Sequence, residues 1–280
     1  MNIDFSKHLK AQNLIFRGLI VVIFFTISSI KSQHMKNEEN SNFYCDVTGI
    51  CGSGEVVNQQ QLNQTNTTIP KVKLIYYYDA LCGWCYGFSP VMSKLKKYYG
   101  DKLDFDVVSG GLFLNERAGF VNDVAPHIKS GAYKSVEGLT GVKFGKPFLD
   151  DVFGAGKMTL NSLPPTIALC IVREAFPEKE LEFAETLLHA VYFDGIDPID
   201  IEAYVTYVEK LGFERNEFLL KMKAPKYKKL AEKEFVKYID SQYSGMPSLV
   251  LEIDGKELPL TRGYTNFENL KSQLDTYFNN

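Results

Sequence analysis

The chain has 280 residues, 45% of them hydrophobic and 13% aromatic, with a formal net charge of −3. That composition excludes a disordered chain and leaves room for one domain of about 200 residues plus extensions, or for two small ones. A nearly balanced charge without a long Lys/Arg run gives no nucleic-acid footprint. Five cysteines are too few for a disulfide scaffold and point to chemistry rather than stapling.

Residues 1–33 read as a signal segment. Lys7, Lys10 and Arg17 form a positive leader, Leu19 to Phe25 is an uninterrupted apolar run, and Ser28, Ser29 and Ser32 follow. The run is too short to cross a bilayer comfortably, so no stable membrane span is expected, and export to the periplasm, the cell envelope or the medium is. An uncleaved anchor is one alternative. A start at Met35, leaving a cytoplasmic protein, is another. Residues 34–70 are polar, rich in Asn, Gln, Thr and Gly, and read as a flexible linker. Within it Cys45 and Cys51 are close enough, with Asp46 and Gly49 between them, for a local disulfide. A passive clip, a relay to a second dithiol, metal binding and free thiols are the readings open for this pair.

From Lys71 the pattern becomes that of a folded domain. Val72 to Tyr78 is a buried-strand pattern rich in β-branched and aromatic residues. Cys82-Gly83-Trp84-Cys85 follows, between that strand and a helical stretch. The first turn of a helix leaves amide groups unpaired and carries partial positive charge, so a thiolate there is stabilised. Cys82 is then the nucleophile of a redox dithiol and Cys85 the resolving thiol. A zinc half-site is disfavoured, since neither a second C-x-x-C nor a nearby His pair accompanies it, and no metal is assigned. Pro90 to Tyr99 has the spacing of an amphipathic helix, and Leu103 to Val108 alternates as a second strand, parallel to the first.

Helical periodicity then dominates. Helices are expected from Pro164-Pro165, over Glu180 to Tyr192, from Asp197-Pro198 through Leu211, over Asn216 to Met222, and over Tyr227 to Tyr238. Cys170 falls on an apolar face and reads as a core thiol, and His189 reads as structural. Pro247 to Ile253 is a strand, Asp254-Gly255 a hairpin turn, Glu257 to Leu260 the return strand, and Asn266 to Tyr277 the last helix. The order is that of one α/β domain with an all-helical insertion.

Four stretches carry a family resemblance: Tyr78-Asp79-Ala80-Leu81-Cys82-Gly83-Trp84-Cys85-Tyr86-Gly87-Phe88, Ser109-Gly110-Gly111-Leu112, Gly245-Met246-Pro247-Ser248-Leu249-Val250 and Arg262-Gly263-Tyr264. They resemble the DsbA-like branch of the thioredoxin superfamily and, more narrowly, the FrnE-related group of protein-disulfide isomerases. The resemblance implies a thioredoxin-like fold over residues 71–280, with the helical insertion at about 115–243 between the second and third core strands. It also implies a cis Pro247 facing the dithiol, with the Met246 backbone offered to a substrate peptide. The activity implied is thiol–disulfide exchange with protein thiols and disulfides, recycled by a redox partner and needing no external cofactor. Gly83-Trp84 departs from the Pro-His dipeptide of strongly oxidising relatives, so no imidazole sits beside Cys82. Trp84 is a candidate substrate contact or packing residue, and Asp79 a candidate proton acceptor for Cys85 or a turn cap. Two other readings on the same fold are a glutathione-dependent kappa-type transferase or isomerase and a non-catalytic protein-binding adaptor. Export with cleavage predicts a mature N-terminus between the end of the apolar run and His34. Mass spectrometry of the purified protein checks this, and a chain beginning at Met35 would contradict it.

Overall fold

The computed structural model describes residues 43–45, 51–53, 72–126 and 128–278. The expected signal segment and nearly all of the linker lie outside them. The chain divides into two compact units, Met1–Asn66 and Thr67–Asn280. In the first, strands Phe43–Cys45 and Cys51–Ser53 pair antiparallel, and their register sets Cys45 opposite Cys51. The side chains of these six residues lie outside the description, and with them the clip and relay readings of Cys45 and Cys51.

The second unit is built on a four-stranded sheet. Strands β1 (Val72–Tyr78), β2 (Asp104–Ser109), β3 (Ser248–Ile253) and β4 (Lys256–Arg262) take the order β2-β1-β3-β4. β2 runs parallel to β1, and β3 runs antiparallel to both β1 and β4. β1 is buried on both faces, which explains its nearly continuous apolar sequence. Leu74, Tyr76 and Tyr78 enter the main core, while Ile75 and Tyr77 join Val108 and Val250 on the other face. Asp254 and Gly255 both have positive φ in the β3–β4 turn, the geometry a two-residue hairpin prefers.

Helix α1 spans Gly83–Tyr99 and so begins well before Pro90, where the amphipathic spacing starts. Its first turns are buried nearly all round (Cys85, Tyr86, Gly87 and Phe88), so no stripe announces them. Pro90 has no N–H for the Tyr86 carbonyl four residues back, and the Ser89 hydroxyl donates to that carbonyl instead, at 2.8 Å.

Between β2 and β3 come helices α2 (Tyr133–Thr140), α3 (Leu163–Ala175), α4 (Glu180–Tyr192), α5 (Arg215–Lys223) and α6 (Pro225–Asp240). The insertion is helical apart from a two-residue ladder, Gly119–Phe120 with Thr159–Leu160, too short for an alternation to register in sequence. The helix expected from Asp197 through Leu211 is a correction. Turns occupy most of that stretch, and helix forms only over Val205–Glu209. Side chains explain it, because Asp197 Oδ1 accepts from the amides of Ile199 and Thr159, and Asp200 Oδ1 from that of Glu202. Such local bonds compete with the helical ladder. Helix α7 (Phe267–Phe278) closes the domain and buries Leu270 and Leu274.

β2 lies at the edge of the sheet, and side chains satisfy the outward backbone groups of Val107. Glu180 Oε1 accepts from the Val107 amide at 3.1 Å, and Arg173 Nη2 donates to the Val107 carbonyl at 2.6 Å. Arg173 also pairs with Glu180 (2.6 Å) and Glu234 (2.7 Å), so one guanidinium ties β2, α3, α4 and α6 together. Burial outweighs the arginine and raises the Glu180 carboxyl to a pKa of about 7. Replacing Arg173 with Leu leaves two carboxylates and a carbonyl without their partner, a change expected to cost roughly 3–5 kcal/mol in urea unfolding. A carboxyl whose folded pKa lies above its unfolded value destabilises most when ionised. Losing the arginine raises Glu180 further, so the loss should be largest above pH 7 and shrink as pH falls to about 7, below which Glu180 is protonated with or without its partner.

Candidate active site

Where β1 ends, the chain turns tightly into α1. The Cys82 amide donates to the Asp79 carbonyl at 3.0 Å, and the Cys82 carbonyl accepts from the amides of Cys85 (2.9 Å) and Tyr86 (3.1 Å). Cys82 is thus the N-cap, with extended backbone (φ −96, ψ 108), and Cys85 lies inside the first turn. Cys82 retains 9% exposure and Cys85 none, and both thiols are free.

The two sulfurs are driven in opposite directions. The Cys85 thiol donates to Cys82, and this is the main cause that lowers the Cys82 pKa; the amides of Cys85 and Trp84 add to it, against burial and the charge of Asp79. Burial, followed by Cys82 itself, pushes Cys85 well above the ordinary thiol value. The Cys82 thiol is therefore the more readily ionised of the two, and its neighbour is kept protonated.

Residues far along the chain complete the site. The Cys82 Sγ lies 3.7 Å from the Met246 carbonyl oxygen, in the loop before β3, and the Met246–Pro247 peptide bond is cis. Gly245 has φ +101, a conformation other residues rarely adopt. The Gly263 amide donates to the Pro247 carbonyl at 2.7 Å, and Tyr264 packs edge-on against Phe88 of α1. A Cβ on Gly110 would run into the Met246 sulfur, so the glycine after β2 makes room for the loop.

Asp79, 1% exposed, accepts from the Leu81 amide (2.9 Å), the Ser162 hydroxyl (3.0 Å) and the Leu112 amide (2.8 Å), while burial pushes its carboxyl pKa up. Ser162 Oγ in turn accepts from the Phe113 amide at 3.0 Å. These contacts cap the dithiol turn and fasten it to the loop after β2 and to the start of α3.

A dithiol at the N-terminus of the helix after β1 is thus faced by a cis-proline loop from before β3. The chain belongs to the DSBA-like thioredoxin domain family. The family's profile matches residues 73–275. The structure resembles that of a candidate protein disulfide isomerase from Nitrosomonas europaea (24% identity, 75% of this chain and 98% of that one, TM-score 0.66). It also resembles the cytosolic disulfide reductase DsbM from Pseudomonas aeruginosa (25% identity, 74% and 98%, TM-score 0.60) and the same reductase with GSH (22%, 74% and 100%, TM-score 0.56). A search of curated proteins finds no match to the sequence.

In this DSBA-like domain the helical insertion brings an apolar cavity of about 180 Å³ against Cys82, lined by Leu81, Trp84, Phe144, Phe148 and Tyr192 among others. Its aromatic wall is continuous, since Phe144 and Phe148 contact Tyr192 at ring-centroid distances of 5.3 and 5.0 Å. Trp84 stands at the rim, 37% exposed. Ser162, Phe144, Phe148 and Tyr192 went unnoticed in the sequence, being far from the dithiol and without a local pattern of their own. Cys170 is buried in α3 with its pKa pushed up to about 12 by burial, as befits a core thiol. Among the described residues, no group of three or more His, Cys, Asp or Glu is placed to hold a metal ion, and no helix is long and apolar enough to cross a membrane.

The pH dependence of Cys82 alkylation by iodoacetamide should have its midpoint below that of an ordinary thiol, near ~8.5. Replacing Cys85 with Ala removes the main donor to Cys82, so the midpoint should move upward. An unchanged midpoint would show that the backbone amides alone set it.

Proposed function

We propose that this domain exchanges disulfides with protein substrates through Cys82 and Cys85. The observation that carries this reading is the unequal pair itself: a slightly exposed sulfur at a helix N-terminus, 3.7 Å from a backbone carbonyl, and a fully buried partner one turn on. The Cys82 thiolate attacks one sulfur of a substrate disulfide, and the second substrate sulfur leaves as a thiol. Cys85 then displaces the first from Cys82, leaving a reduced substrate and a Cys82–Cys85 disulfide. Run backward, the same steps oxidise a substrate dithiol. Direction follows from the potential of the dithiol against that of its recycling partner.

In this reading the Met246 carbonyl, which faces the Cys82 sulfur, accepts an amide hydrogen from an extended substrate segment beside Pro247. The aromatic cavity suits an apolar side chain flanking the attacked cysteine, with Trp84 closing over it. Gly83-Trp84 supplies no imidazole, so the Cys82 thiolate rests on amides and Cys85 alone. That favours reversible exchange or reduction over a dedicated oxidase. A second reading, in which glutathione is the thiol partner, is supported by the DsbM structure with GSH.

Replacing Cys85 with Ser should trap mixed disulfides on Cys82 that separate on non-reducing gels and dissolve on reduction. The unmodified protein should accelerate insulin reduction by dithiothreitol, and a Cys82→Ser protein should not. Absence of both trapped partners and activity would sink the protein-exchange reading. Turnover of glutathione disulfide without insulin reduction would favour the second.

A further inference from the structure

Tyr76, in the middle of β1, carries a hydroxyl for which the fold has no use. The side chain is 1% exposed, its oxygen is closed off from solvent, and it meets hydrogen-bond geometry with no described group. Buried hydroxyls are normally paired, and phenylalanine would fill the same space without leaving a donor unsatisfied. The strand's alternation turns Tyr76 toward α1, where its ring packs against Phe88 at 5.9 Å. Cys85, also buried, lies three residues before Phe88 on the same helix, and the Cys85 and Cys82 sulfurs belong to the hydroxyl's electrostatic surroundings.

A neutral thiol is a poor acceptor, whereas a thiolate is a strong one. We propose that Tyr76 is a catalytic hydrogen-bond donor held ready for the Cys85 thiolate, unpaired while Cys85 is protonated and paired when Cys85 reacts. This rests on the exchange reading above and assigns a residue to its second step. In that step Cys85 gives up its proton and its thiolate attacks the Cys82 sulfur of the mixed disulfide. The Cys82–Cys85 bond forms, and the substrate sulfur departs with the electron pair and takes up a proton. No added oxidant is needed. The burial that raises Cys85 is opposed by the Asp79 backbone and by the Tyr76 hydroxyl.

Dithiobis(nitrobenzoate) tests this in single turnovers of the reduced protein. A first thionitrobenzoate is released as Cys82 attacks and a second as Cys85 resolves. In Tyr76→Phe the first phase should keep its rate. The second should slow about tenfold or more near pH 7, the size expected from losing one hydrogen bond to a charged acceptor, with its apparent pKa moved upward. Tyr78 provides the control. Its hydroxyl is also buried and unpaired, but its surroundings are Asp79 and Ser109 rather than the dithiol, so Tyr78→Phe should leave both phases unchanged. A second phase in Tyr76→Phe that matches the unmodified protein across pH would overturn the proposal. So would equal slowing of both phases, an equal effect of Tyr78→Phe, or a Tyr76→Phe protein that loses its folded circular-dichroism spectrum, since the hydroxyl would then serve the fold. If the unmodified protein releases no second equivalent, the exchange reading itself fails, an outcome separate from any effect of the substitution.

Discussion

The sulfur of Cys82 faces two sets of backbone groups, the amides of Trp84 and Cys85 at the start of α1 and the Met246 carbonyl, 3.7 Å away. Neither set is available unless β1 stops where it does and the chain reverses at once into a helix. The Cys82 amide bonded to the Asp79 carbonyl makes that reversal, and the Asp79 carboxylate fixes its orientation by accepting from Leu81, Leu112 and Ser162. A carboxylate in so dry a place raises the Cys82 pKa, against the needs of a nucleophile. It is tolerated because its hydrogen bonds hold together the three segments that must meet at the dithiol. The thiolate is then recovered by closer contacts, the Cys85 thiol and the helical amides, whose effect falls off over short distances.

The helical insertion serves the site in two ways. Its inner helices cover β2, and Arg173 and Glu180 occupy the outward amide and carbonyl of Val107, so the edge strand presents no free ladder there for another chain to extend. Its other contribution is the aromatic wall of Phe144, Phe148 and Tyr192, which gives Cys82 an apolar flank that the sheet and α1 alone do not supply. The first of these is stability, and the second, in the proposed exchange, is recognition. Both depend on α4, which begins at Glu180 and ends at Tyr192.

Much of this was legible in the sequence, for reasons that differ by element. β1 and the dithiol were visible because a doubly buried strand is apolar throughout and the cysteine spacing is its own signal. α4 and α6 were visible because each lays one face on the core at helical spacing. The start of α1 was hidden, since Tyr86, Gly87 and Phe88 are all buried and form no stripe. The stretch after Asp197 misled because a cap-like Asp-Pro also suits a chain of Asx turns, and here the side chains of Asp197 and Asp200 capture the amides a helix would need. The Asp79–Ser162 bond joins residues 83 positions apart, and no local pattern marks either as the other's partner. The aromatic wall escaped for the same reason.

The difference in burial between the two cysteines bears on the chemistry more directly than the residues between them. Gly83 and Trp84 take helical positions and lend the amide of Trp84 to Cys82, but neither side chain adds charge. What separates the thiols is that Cys82 stands at the mouth of the turn and Cys85 beneath it, closed in by β1 and the rest of α1. A buried thiol resists ionisation, which slows its attack and lengthens the life of a mixed disulfide on Cys82. A long-lived mixed disulfide gives a substrate time to resolve it with another of its own thiols, which is isomerisation. A short-lived one ends in net reduction. In the proposed exchange, the balance between those outcomes is therefore set at Cys85, by the groups that surround its sulfur, rather than at Cys82.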